Sequence, residues 1–178
     1  MSNGPAVAAP TPPVSARLHR FEMALIAAIL VADQITKALV RAHIPLHDSI
    51  TVVAGWLHLT HVRNTGAAFG FLNAVDFPYK QAVVALAATA ALIGIAFYAA
   101  RVSSHERIAR IGLAMILAGA VGNLIDRLWL GSVVDFVDVV FGSWHFWAFN
   151  VADSAITLGV IAMMIDMIGL GRHVSTTS

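Results

Sequence analysis

The chain contains no cysteine. That single absence excludes disulfides, thiolate metal sites, a cysteine nucleophile and lipidation of the chain itself on Cys. Charge is scarce too: Asp, Glu, Lys and Arg make up 12% of the 178 residues, against 58% hydrophobic ones. A water-soluble domain carries about 25% charged residues, so much of this surface faces something other than water. The few charges nearly cancel, to +1, which gives no basis for a nucleic-acid partner. The chain lacks HExxH, a Gly-rich phosphate loop ahead of Lys-Ser or Lys-Thr, and a GxSxG elbow. Metalloprotease-helix, P-loop and serine-hydrolase readings therefore have no support. His58 and His61 flank a strand-like stretch without metal-ligand spacing and read as lone surface histidines. Ser154 follows Asp153 but has no dedicated base.

What the chain has is long apolar runs. They fall at about 21–41, 81–100, 108–130 and 151–170. Each is near the roughly 20 residues that cross about 30 Å of hydrocarbon, and runs of that length in lipid are helices. The fold expected is an all-α integral membrane protein, a four-transmembrane-helix bundle with a small extracytoplasmic β-like segment. A cleaved secretory signal fits the first run poorly, because the run is long and holds Asp33 and Lys37. Residues 1–16, rich in Pro, Ala and Ser, read as a disordered leader. Residues 17–172 read as one membrane-embedded domain and 173–178 as a cytoplasmic tail.

Four spans put both termini and the second–third loop on one side. That side holds Arg17, Arg20, Arg101, Arg107, Arg110 and Arg172; the other holds Arg41, Arg63 and Lys80. The first set marks the cytoplasm. Residues 41–80 and 131–150 then lie outside. Ile50 to Val62 is β-branched and aromatic in partial alternation and reads as one or two short strands. Asn64-Thr65-Gly66 marks a turn. The outer segment over 43–78, with Trp56, Phe69, Phe71 and glycines 55, 66 and 70, is expected to cover the site and hinge. Tyr79, Trp129, Trp144 and Trp147 sit near the outer boundary, where aromatic rings are enriched.

A carboxylate inside a span is costly unless paired or wet. At about 1.5 Å per residue, Asp33 lies roughly 18 Å along the first helix from its inner end, with Lys37 a turn further out. Asp126 and Arg127 lie roughly 27 Å along the third helix, again at its outer end. Asp153 sits in the first turn of the fourth and Asp135 just before it. All six share one depth near the outer interface. Asp33 and Lys37 are i,i+4 with the acid first, as in a structural helix ion pair. Gly119, Asn123 and Arg127 recur at i+4 on one face. Asn150 and Asp153 have the spacing of a helix cap, so capping is the plain reading of Asp153. Asp166 lies roughly 20 Å inward of Asp153, and Asp138 reads as a solvated loop acid. An ion-coupled transporter would also place acids in spans, but usually with more helices, inverted repeats and midplane sites.

Five stretches carry a resemblance. They are Asp33-Gln34-Ile35-Thr36-Lys37, Asn64-Thr65-Gly66-Ala67-Ala68-Phe69-Gly70, Gly122-Asn123-Leu124-Ile125-Asp126-Arg127, Val133-Val134-Asp135-Phe136 and Phe149-Asn150-Val151-Ala152-Asp153-Ser154. In order and spacing, over about residues 20–170, they resemble lipoprotein signal peptidase (signal peptidase II). Two positions depart from the pattern: Trp147, where Pro is frequent, and Ala118, where Gly is frequent. The resemblance implies an aspartyl endopeptidase of the inner membrane, with termini cytoplasmic and its site toward the periplasmic face. Its substrate would be a diacylglyceryl prolipoprotein, cut N-terminal to the lipidated lipobox Cys. It implies catalysis by Asp135 and Asp153, with Asn64, Gly119, Asn123, Arg127 and Asn150 supporting the site. Asp33 and Lys37 match further family positions. It also implies no cofactor, contact with membrane lipid, and peptide inhibitors of the globomycin type.

Overall fold

A computed structural model describes residues 14–66, 77–103, 105–142 and 144–169. The expected leader up to residue 13, the tail over 173–178, and Phe69, Gly70 and Phe71 of the expected moving cover lie outside those residues.

Four helices carry the apolar runs: α1 (Val14–His43), α2 (Lys80–Ala99), α3 (Arg107–Leu130) and α4 (Val151–Met167). Three of them hold stretches long and apolar enough to cross a membrane: His19–His43, Lys80–Ala99 and Arg107–Leu130. α3 is the central helix and packs against the other three. The faces it turns to α4 are made of small residues. Gly112 meets Gly159, and about two turns on Gly119 meets Ala152, as an antiparallel pair requires. Lipid offers no hydrophobic drive for helix association, so close backbone approach at small residues has to supply it.

The C-terminal ends of α1 and α3 carry a four-stranded antiparallel sheet in the order β1 (Ser49–Val53), β2 (Leu57–Asn64), β3 (Val133–Phe141), β4 (Trp144–His145). Helices dominate and the sheet is small, as expected, but it draws on the α3–α4 segment as well as the α1–α2 segment to which the sequence pointed. The β-branched run Val133–Phe141 pairs with the whole length of β2, from Leu57↔Val139 to Asn64↔Val133. A bulge between Leu59 and Val62 sets Thr60 and His61 against Phe136 alone and re-registers the strands, so that Val62 faces Asp135. Val40 and Ile44 of α1 pack with Val134 and Phe136 beneath the sheet. His61 belongs to this junction. It is buried, with Nδ1 2.8 Å from the Ile44 carbonyl, and is not the surface histidine expected.

Where α3 crosses α4, a Cβ on Gly119 would collide with the Ala152 carbonyl oxygen and lie 2.7 Å from Ile156 Cγ1. Neither is the loose end of a side chain. Gly119→Ala is expected to cost about 1–3 kcal/mol and lower the unfolding midpoint in detergent; an unchanged midpoint would mean the helices have slack there.

Candidate active site

The site begins with a buried cation. Lys37 of α1 is fully buried, as is Asp33, and Asp126 of α3 is 1% exposed. The three ammonium protons have three acceptors: Asp33 Oδ2 at 2.8 Å, Asp126 Oδ2 at 3.1 Å and Asn123 Oδ1 at 3.0 Å. The two carboxylates are satisfied as fully. Asp33 Oδ1 accepts the Ala152 N–H at 3.0 Å, and Asp126 Oδ2 also accepts the Val134 N–H at 3.1 Å. The Gln34 amide donates within reach of Asp33 Oδ2, Asp126 Oδ1 and the Gly122 carbonyl. Gly122 is required here, since a Cβ would lie 2.7 Å from Asp33 Oδ2. Buried charges persist only when paired and hydrogen-bonded in this way.

The triad determines which way Asn123 points. Its Oδ1 is held by Lys37 and also accepts from Asn150 Nδ2 at 3.2 Å. Its Nδ2 is left to donate to Asp153 Oδ1 at 2.8 Å. Asp153 Oδ2 accepts the Asn150 backbone N–H at 3.2 Å, while Asn150 Oδ1 accepts the Asp153 N–H at 2.9 Å, a complete capping box. Capping and a place in the site are therefore the same contact seen from two sides.

Asp135 arrives from the sheet. Asn64 pairs with Val133, so Asp135 is its diagonal neighbour on the same face. Asn64 Nδ2 donates to Asp135 Oδ2 at 3.1 Å. The chain before α4 is stitched to β3 by Phe149, which accepts from the Phe136 and Val137 N–H groups. This brings Asn150 Nδ2 to 2.7 Å from Asp135 Oδ1. Burial and then the neighbouring Asp153 charge push the Asp135 carboxyl up to about 7. Hydrogen bonds from Asn64 and Asn150 and the Lys37 charge pull the other way. Arg127 braces the same region, donating to the Asn123 carbonyl at 3.2 Å and the Gly66 carbonyl at 3.1 Å. Its Nε–H is buried without an acceptor among the described residues.

Asp135, Asp153, Asn64, Asn123 and Arg127 line one cavity of about 460 Å³. The cavity runs down between α2 and α4 past Val84, Ala88, Ala91 and Ile156. It is polar at one end and apolar along its length, so it suits a ligand with a peptide end and a hydrocarbon end. Of the residues expected from sequence, Asp33, Lys37, Asn64, Asn123, Arg127, Asp135, Asn150 and Asp153 join one hydrogen-bonded network, and Gly119 sits just below it. Gln34 and Gly122 were not singled out individually, though both stand inside the motifs quoted above. His58 turns to Thr51 and His61 to Ile44, so the two rings share no centre.

Apolar helices long enough to span a membrane, with a buried and a half-buried carboxylate facing one amphipathic cavity, are the layout of a membrane aspartic peptidase. The profile of the signal peptidase (SPase) II family matches residues 25–169. The lipoprotein signal peptidase of Syntrophus aciditrophicus (strain SB) is 41% identical over 140 residues, covering 79% of this chain and 87% of that protein. That of Geobacter metallireducens is 43% identical over 150 residues, covering 84% and 91%. A solved bacterial membrane enzyme superposes with a TM-score of 0.76 at 29% identity, covering 89% of this chain and 93% of its own. The chain belongs to the signal peptidase II family.

Lys37→Met would leave Asp33 and Asp126 buried without their cation. Breaking a buried pair from one side costs about 3–5 kcal/mol, so the variant is expected to unfold at clearly lower temperature in detergent. A parental unfolding midpoint would show that the triad does not hold the helices together.

Proposed function

We propose that this chain removes the signal peptide from diacylglyceryl prolipoproteins by cutting N-terminal to the lipidated Cys, with Asp135 and Asp153 as the acid–base pair. The observation that carries the reading is the pair itself. Two carboxylates, one from a strand and one from a helix start, are each held by side-chain amides and face one cavity.

Two like charges in one desolvated site share a proton. The ionised member takes a proton from water as the water oxygen attacks the scissile carbonyl carbon. The protonated member gives its proton to the carbonyl oxygen, leaving a neutral diol. On collapse, one diol O–H returns its proton to a carboxylate and the other acid protonates the leaving nitrogen. The C–N bond breaks, freeing the signal peptide's new carboxyl and the amine of the lipidated Cys. The two acids end as they began. The apolar length of the cavity accepts hydrocarbon while the peptide bond meets the acids at its mouth.

α4 is the fourth span in this reading. Its 17 residues reach about 26 Å, near the thickness of the hydrocarbon core. With arginines concentrated at the other end of the bundle, the termini lie in the cytoplasm and the sheet at the periplasmic face of the inner membrane. Peptide inhibitors of the globomycin type would occupy the same cavity.

Asp135→Asn and Asp153→Asn are each expected to lower cleavage of a diacylglyceryl prolipopeptide by at least about a hundredfold while the protein stays folded; near-parental turnover in either would remove the assignment. The pH dependence has a definite sign. The pair must hold one proton, and Asp135 loses its proton near 7, so kcat/KM should fall as pH rises through that region. A rate that keeps climbing well into the alkaline range would contradict the shared proton.

A further inference from the structure

We propose that Lys80 is a positioning residue for this reaction: from the first turn of α2 it holds the Asn64–Gly66 turn so that the Asn64 amide stays on Asp135. This rests on the acid–base reading above. Lys80 is an unexpected residue where it stands. It is buried, and it is the first residue of a helix whose N-terminal end already carries the positive pole of its dipole. Both facts work against a cation, so what it holds in place needs a reason.

One of its contacts is with the turn. Lys80 Nζ donates to Thr65 Oγ1 at 3.3 Å. On the other side Arg127 donates to the Gly66 carbonyl at 3.1 Å. Within the turn, the Gly66 N–H donates to Asn64 Oδ1 at 3.0 Å. With its oxygen taken, Asn64 presents its NH2 to Asp135 Oδ2. The turn is thus held from α2, from α3 and from within. Val83 and Val84 of α2 line the cavity, so Lys80 also ties the wall that meets substrate to the side chain that touches Asp135.

The charged groups acting on Asp135 are Asp153 from α4, Lys37 from α1 and Arg127 from α3; the Asn64 and Asn150 amides hydrogen-bond it. Of the two amides, Asn64 is the one whose turn Lys80 holds. The Asn64 bond favours the anion, so loosening it raises the pH at which the pair loses its last proton.

The test is cleavage of a diacylglyceryl prolipopeptide by the purified full chain across the alkaline limb of its pH profile. The variants are Lys80→Met, Lys80→Arg, Asn64→Ala and the double variant Lys80→Met/Asn64→Ala. Lys80→Met should lower kcat by about ten- to hundredfold with KM little changed, and move the alkaline limb upward as Asn64→Ala does. The double variant should behave like Asn64→Ala alone, and Lys80→Arg should retain most of the rate. Thr65→Val, which removes the turn's acceptor and leaves the lysine, should give the same upward movement even if Lys80→Met does not fold. A higher KM with an unmoved limb would make Lys80 a substrate or lipid contact and overturn the proposal, as would fully additive losses in the double variant. An unmoved limb in Asn64→Ala itself would remove the Asp135 assignment, and the Lys80 proposal with it.

Discussion

Three protons on one buried ammonium organise this molecule. Lys37 reaches no water, and each of its N–H bonds requires an acceptor. Two go to the carboxylates of Asp33 and Asp126, one on its own helix and one on α3. The third goes to Asn123 Oδ1, and that bond does more than satisfy a donor. It turns the Asn123 amide so that its NH2 meets Asp153. A buried ion cluster adds little net stability over an apolar one, because desolvation offsets attraction. What it provides here is a single allowed arrangement, with both carboxylates pinned and no amide free to flip.

From that point the fold and the candidate site share the same groups. Asp33 holds the Ala152 N–H in the first turn of α4, and Asp153 holds the Asn150 N–H. The start of α4 is thereby tied to α1 and to itself, and Gly119 lets α3 pass beneath it. The sheet brings the second acid through an independent route. The bulged β2–β3 pairing sets Asp135 beside Asn64, and Phe149 sews the approach to α4 onto β3. Asn150 joins the two routes, since its one amide touches Asp135 and Asn123. Each acid is thus held by its own element and cross-braced by an asparagine. α2 packs on α3 and supplies the apolar wall of the cavity.

Much of this was legible in the sequence, and the reason is depth. A helix converts residue number into distance along one axis, so acids in separate spans could be placed at one level. The i+4 spacings of Asp33 with Lys37 and of Asn123 with Arg127 pointed to shared faces for the same reason. The Asn150–Asp153 spacing announced a capping box, though not that the capping acid would face a cavity. The reach of β3 is less legible: its run Val133–Phe141 is β-branched, but two acids interrupt it and its length is set by pairing with β2. The pairing that puts Asn64 beside Asp135 is long-range and has no local signal. Gln34 and Gly122 were equally silent as individuals. Their importance lies in a hydrogen bond and a missing Cβ across a helix interface, and neither is visible along one chain. His61 misled because a lone histidine between spans looks solvated, whereas its place within the β2 bulge puts the ring in the α1–β2 junction.

The account stands on the claim that the Lys37-oriented amide of Asn123 holds Asp153 in place. Asn123→Asp tests it most directly, because the new side chain still offers Lys37 and Asn150 an acceptor but can no longer donate to Asp153 from a nitrogen. The measurement is turnover of a diacylglyceryl prolipopeptide alongside the unfolding midpoint of the same preparation. The account predicts a loss of about a hundredfold or more in turnover with a midpoint close to that of the parent. Near-parental turnover in that folded variant would contradict it.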